Sequence, residues 1–183
     1  VVIIGSIVEE QGDLQIVNTK GDMTITSVLS HNKINTNANG MISIENSSTG
    51  KINLQADISS YGAGKIDTTD NEIIKAIKIT NSANSDTLSL SNNISARLGN
   101  IYIEDNSANL FTTNANIFNT EKGSIFVDNK NGAANVGGKI ITKEGNINIT
   151  NSGDADAMTI SANITQNKGD VNISSSTGTL SYT

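Results

Sequence analysis

The chain has 183 residues, 12 basic and 18 acidic, and a net charge of −6; that balance excludes the basic face nucleic-acid binding needs and argues against adsorption to anionic lipid. It has no cysteine, which removes disulfides, thiol chemistry and cysteine-ligated zinc. No run approaches the ~18 apolar residues of a membrane-crossing helix, and proline is absent where average usage would supply about nine.

The opening VVIIGSIVEE lacks the basic flank and long apolar core of a signal peptide and reads directly as strand. A short motif follows twice within residues 1–40: glycine, a small polar residue, then apolar–x–apolar. Its copies there are Gly12-Asp13-Leu14-Gln15-Ile16 and Gly21-Asp22-Met23-Thr24-Ile25, and a third is Gly50-Lys51-Ile52-Asn53-Leu54. Met23 and Ile52 stand 29 positions apart, so this less regular region holds an insertion or a change of register. The single histidine, His31, lies in the polar turn Ser30-His31-Asn32-Lys33 and reads as a solvated turn residue.

Beyond residue 70 the motif becomes regular. Ala76-Ile77-Lys78-Ile79 is a copy without its glycine, followed by Gly99-Asn100-Ile101-Tyr102-Ile103, Gly123-Ser124-Ile125-Phe126-Val127, Gly145-Asn146-Ile147-Asn148-Ile149 and Gly169-Asp170-Val171-Asn172-Ile173. The first apolar residues fall at 52, 77, 101, 125, 147 and 171, in steps of 25, 24, 24, 22 and 24. A second series runs Leu88, Leu110, Ala133, Met158, and a third Ile94, Ile117, Ile140, Ile164. A longer echo confirms the period: Ile79–Ile103 and Ile149–Ile173 match without a gap at ten of 25 positions.

Each unit therefore holds three short segments of period-two alternation, which is the pattern of half-buried strands. Asn, Ser, Asp, Gly and Thr separate them, and these are turn formers. No window carries a helical stripe. Units of this length cannot bury a face alone and must stack. The expected fold is all-β, a right-handed parallel β-helix of about 22–25 residues per coil with three short strands in each. About seven coils at roughly 4.8 Å would make a rod on the order of 35 Å long. Residues 1–183 read as one repeat domain, an internal fragment of a longer rod.

Composition agrees with that fold. Nearly every strand of a β-helix is bonded on both sides, a ladder to which proline cannot donate. Asparagine is frequent, at 27 residues, and asparagines stacked at equivalent turns are expected to bond side chain to side chain along the rod.

Catalytic signatures are missing: no G-x-S-x-G, Walker A, dinucleotide fingerprint or HExxH occurs. Carboxylates that could pair across a groove are Asp154 with Asp156, Glu104 with Asp105, and Asp67, Asp70 and Glu72. Only the last cluster lies outside the repeat, and it is the centre of the alternative reading, a polysaccharide-active β-helix lyase or hydrolase. Calcium repeats are missing too. The chain is expected to be non-enzymatic, without cofactor or metal.

The exterior is more informative. Where Ile101 and Ile103, or Ile125 and Val127, point inward, Tyr102 and Phe126 point outward at equivalent positions of consecutive coils. Their column continues with Lys78 on one side and Asn148 and Asn172 on the other. Phe118 and Ile141 form a second outward pair. Exposed apolar ladders mark contact surfaces, although aromatics also stack simply to cover a rod. Outward columns mixing Lys, Tyr, Phe and Asn do not suit ice binding. Asn-x-Ser/Thr sequons stand at Asn46, Asn93, Asn148, Asn163 and Asn172, about as many as chance gives.

The GNINI, GDVNI and GSIFV coils, the Asn/Ser/Thr/Gly richness and the lack of Pro and Cys resemble the filamentous-haemagglutinin and high-molecular-weight adhesin class. These are exoproteins exported by two-partner secretion, with β-helical shafts. The segment Gly145 to Gly153 is most like them, and the likeness spans roughly residues 40–183. The class's amino-terminal secretion domain carries Asn-Pro-Asn-type motifs, which a proline-free chain cannot contain. The resemblance thus implies shaft: a secreted or cell-surface segment of an adhesin or exotoxin, attaching to a host receptor or glycan. It further implies an outer-membrane transporter partner for export, no nucleic acid and no membrane insertion. Sequon glycosylation, known in some members, would fall on the five Asn named.

Overall fold

The computed structural model describes residues 1–9, 12–26, 33–36, 40–62, 64–66, 74–82, 85–152 and 157–183. Among them there is no helix, and the strands form three parallel sheets visited in turn, a β-solenoid with three strands per turn. The first sheet stacks Val2–Ile4, Met23–Thr26, Ile52–Leu54, Leu88–Leu90, Phe111–Thr113, Ala134–Val136, Met158–Ile160 and Leu180–Tyr182. The second stacks Ile7–Glu9, Lys33–Thr36, Asp57–Ser60, Ile94–Leu98, Asn116–Lys122, Lys139–Thr142 and Asn163–Gln166. The third stacks Leu14–Asn18, Ile42–Asn46, Ile74–Asn81, Asn100–Asp105, Ile125–Asn129, Ile147–Asn151 and Val171–Ser175.

Alternation places one side of the central strands in a continuous apolar core. Ile42, Ile77, Ile101, Ile125 and Ile147 stack in register on the third sheet and are all fully buried. Ile58, Ile94, Ile117 and Ile140 do the same on the second. Isoleucine suits such columns because its branched Cβ packs on the pleat and needs little room along the rod.

The structure corrects three details of the expected register. On the first sheet Phe111 and Ala134, not Leu110 and Ala133, continue the column from Leu88 to Met158; Leu110 is 41 % exposed. Phenylalanine is accommodated there because the next residue in the column is alanine. Ile52 belongs to the first sheet, opposite Met23 and Leu88, so its spacing to Ile77 is a coincidence between two sheets. The true partner of Ile77 in the preceding turn is Ile42, 35 positions earlier. That longest turn holds an extra strand, Lys65–Ile66, which pairs antiparallel with Ile74 and Lys75, while the ladder to the next turn shifts register between Lys75 and Ile77.

Two corners explain the motif. Between the second and third sheets Gly99, Gly123, Gly145 and Gly169 lie above one another, all with positive φ. A Cβ on Gly145 would lie 2.3 Å from the Gly123 carbonyl oxygen, so close backbone stacking demands glycine there. The small polar residue that follows accepts a backbone N–H from the turn above: Ser124 N–H donates to Asn100 Oδ1 (2.7 Å), Asn146 N–H to Ser124 Oγ (3.0 Å) and Asp170 N–H to Asn146 Oδ1 (3.0 Å). Inside the same corner Asn119, Thr142 and Gln166 donate to the carbonyls of Gly99, Gly123 and Gly145.

At the other corner, where the third sheet ends, the expected asparagine ladder is present. Asn18, Asn46, Asn81, Asp105, Asn129 and Asn151 are in register and each is no more than 1 % exposed. Asn18 Nδ2 donates to Asn46 Oδ1 (2.9 Å), Asn46 to Asn81 (2.9 Å), Asn81 to Asp105 Oδ1 (2.9 Å) and Asn129 to Asn151 (2.7 Å).

Candidate contact surface

The third sheet's outer face carries the column read from the sequence. Lys78, Tyr102, Phe126, Asn148 and Asn172 occupy matched positions in successive strands. The Tyr102 and Phe126 ring centroids are 5.5 Å apart, with planes inclined at 39°, within the range where aromatic pairs attract. Both rings are half-buried. Above them Asn172 Nδ2 donates to Asn148 Oδ1 at 3.0 Å.

The sequence reading missed the cation on this column. Lys75 Nζ lies 4.7 Å from the Tyr102 ring centroid, in cation–π range, yet Lys75 is only 2 % exposed. Its strand is the one paired by the extra strand Lys65–Ile66, and the irregularity beside it re-aims the side chain. Spacing alone gives no signal of that, since the motif copy there has lost its glycine.

Acidic groups border the aromatic pair. Asp128 is ion-paired with Lys130 and accepts a hydrogen bond from Thr150 Oγ1. Glu104 accepts one from Asn106 Nδ2 at 2.7 Å. Burial, reinforced by Glu104 and Asp128, pushes the Tyr102 hydroxyl above its ordinary pKa, so it stays a neutral donor. The hydrogen bond to Asp128 holds Lys130 above its usual range, so the ammonium stays charged at neutral pH. The patch thus offers ring faces, a hydroxyl and fixed charges of both signs, which suits a ligand with alternating apolar and hydroxylated faces.

Phe118 and Ile141 are also in register and half-buried, but they lie on the second sheet. The four expected contact residues therefore form two patches on different faces. A shallow groove elsewhere on the second sheet is lined by Tyr61, Arg97 and Glu121, with Arg97 Nε donating to the Tyr61 carbonyl at 2.8 Å and pairing with Glu121 at 3.5 Å.

The carboxylate candidates fare differently. Glu104 and Asp105 point to opposite sides of their strand, Glu104 outward and Asp105 into the rod, so they do not act as a pair. Asp67, Asp70, Glu72, Asp154, Asp156 and His31 lie outside the described residues. Among the sequons, Asn46 is fully buried in the ladder and closed to modification in the folded chain, whereas Asn93, Asn163 and Asn172 are exposed. A comparison with protein-family models, with curated proteins and with solved structures finds no match for this chain.

Proposed function

We propose that the chain is a non-enzymatic shaft segment of a large secreted or surface-exposed bacterial adhesin or exotoxin, and that it takes part in attachment to host cells. The observation that carries this reading is the outward Tyr102–Phe126 pair, set at a fixed 5.5 Å on a rod whose every turn is hydrogen-bonded to its neighbours. A ladder of this kind resists bending and leaves few free backbone groups for proteases, so the rod holds its outer columns at constant spacing. Ring faces bordered by Glu104, Asp128 and Lys130 suit a receptor glycan, whose apolar sugar faces stack on aromatics while its hydroxyls meet the charges. The full protein would leave the cell through an outer-membrane transporter partner.

The test is a glycan array and a cell-binding assay with the chain and its Tyr102→Ala/Phe126→Ala double variant. Binding by the parent that falls tenfold or more in the variant supports the reading. Unchanged binding in the double variant removes this surface from it.

A further inference from the structure

Between Asn18 and Asn151 the buried ladder has one member that is not an amide, and the structure records what that does to its neighbour. Along the column each Oδ1 faces the preceding turn and each Nδ2 the following one. One Nδ2 hydrogen goes to the next Oδ1. The other goes to a backbone carbonyl of the same turn: Gly21 from Asn18, Gly50 from Asn46, Asp86 from Asn81 and Gly132 from Asn129.

At Asp105 the pattern stops. Its Oδ1 accepts from Asn81 Nδ2 (2.9 Å) and from the Ser107 backbone N–H (3.1 Å), and its Oδ2 accepts from Ser107 Oγ (3.2 Å). Directly above in register, Asn129 has both amide hydrogens engaged, by Asn151 Oδ1 and the Gly132 carbonyl. Its Oδ1, aimed back at Asp105, is buried without a hydrogen-bond partner. Asn18 Oδ1 is the other ladder oxygen in that state, and no turn among the described residues precedes it. A buried acceptor left unmade costs about 1–3 kcal/mol, and two facing oxygens, one of them charged, cost more.

We propose that Asp105 is held in the fold as the neutral carboxylic acid and donates its proton from Oδ2 to Asn129 Oδ1, making it a proton-operated joint between two halves of the ladder. Ionisation withdraws the donor, sets two acceptors against each other and weakens the rod at that turn. The proton exchanges with water only, so no further reactant is needed.

The surroundings agree. Burial pushes Asp105 above the ordinary carboxylate value, against the opposing pull of hydrogen bonds from Asn81 and Ser107. Among the described residues no charged group acts on it: Glu104 on its own strand and Asp128 on the next face outward, and Asp86 in the preceding turn is exposed. Because its folded pKa lies above the unfolded 3.8, the folded state binds this proton more tightly. The stability it contributes is complete below the unfolded value and is lost as pH rises through the folded one. That slope is opposite to ordinary acid denaturation.

The experiment compares the 183-residue chain with Asp105→Asn, which puts an amide donor back into the column. Chemical denaturation of both is measured from acid to neutral pH. Expected is a more stable variant at neutral pH, with the two curves converging as pH falls toward the ordinary carboxylate range. Between the two pKa values the ratio of folding constants should change about tenfold per pH unit. A variant no more stable than the parent at neutral pH, or a difference independent of pH, overturns the proposal. As a check that needs no variant, the carboxyl ¹³C shift of Asp105 in the labelled parent should titrate above 3.8; a midpoint at or below that value equally overturns it.

Discussion

The third sheet has two faces built on the same strands, and they follow different rules. On the inner side, positions 18, 46, 81, 129 and 151 are all asparagine, and the departures are Asp105 within the buried column and Ser175 at its last strand. One residue earlier and facing outward, Val17, Glu45, Thr80, Glu104, Asp128 and Thr150 share neither size nor charge. The reason lies in what each group can bond. A buried polar group has only the turns above and below as partners, and a carboxamide suits both by accepting on one side and donating on the other. An outward side chain is at least partly exposed and is not confined to those two partners. Identity is therefore imposed inside the rod and left free outside, where the chain can vary a binding surface without disturbing the stack.

The glycine corner should show the inner rule at its strictest. Gly145→Ala would place a Cβ 2.3 Å from the Gly123 carbonyl at φ +140°. Strain of roughly 1–3 kcal/mol for the backbone and a similar amount for overpacking give a loss of about 4 kcal/mol. Denaturant titration measures it. A loss below about 1 kcal/mol would show that the stacked corner yields, and that the glycine column reflects something other than close approach.

Next comes the ladder. Asn81→Leu keeps the branched shape but removes the acceptor for Asn46 Nδ2 and the donors to Asp86 O and Asp105 Oδ1. With Asp86 O losing its side-chain donor and two neighbours each losing a partner, a loss of about 3 kcal/mol is expected in the same titration. Thr80→Ala, on the same strand's outer face, should cost less than 1 kcal/mol. Equal costs would erase the distinction between the two faces.

This asymmetry also sets what could be read from the sequence. From Ile77 to Ile147 the turns were legible because each adds 22–24 residues and returns an inner isoleucine to the same place. The five-residue motif was less informative than its regularity implied. It encodes a glycine turn entering a strand, and in this chain it serves corners leading into both the first and the third sheet, so Ile52 and Ile77 looked like successive members of one column. Leu110-Phe111 misled for a different reason: two adjacent apolar residues satisfy alternation in either phase, and only the room left by Ala134 selects phenylalanine. The asparagine ladder was legible as a composition, but the frequent Asn elsewhere hid which residues form it. Of the outer face, Tyr102, Phe126, Phe118 and Ile141 were placed correctly by register alone, whereas Lys75 depends on an irregular strand whose contacts no period predicts.

On the outer face the expected stability effects shrink. Tyr102→Ser with Phe126→Ser gives up a ring pair worth about 1 kcal/mol beyond its buried area, together with the contact of Lys75 over Tyr102. Thermal melting should shift modestly while ligand binding falls much further. A melting loss as large as that of Asn81→Leu would assign these rings to holding the rod together rather than to contact.

The smallest effect belongs to Lys168→Ala. Lys168 Nζ bonds Glu144 Oε1 at 3.0 Å, bridging equivalent corners of adjoining turns, but the two side chains are 76 % and 42 % exposed. The bond holds the Glu144 carboxyl below its usual pKa, so what it adds is present at neutral pH and would be lost as pH falls through that lowered value. Solvent screens such a pair and its long side chains must be ordered to make it. Melting of the variant should therefore match the parent at physiological salt. A clear loss that disappears at high salt would show that charges on the outer corners help clamp successive turns, and the freedom to vary the exterior would then be narrower than the buried columns alone require.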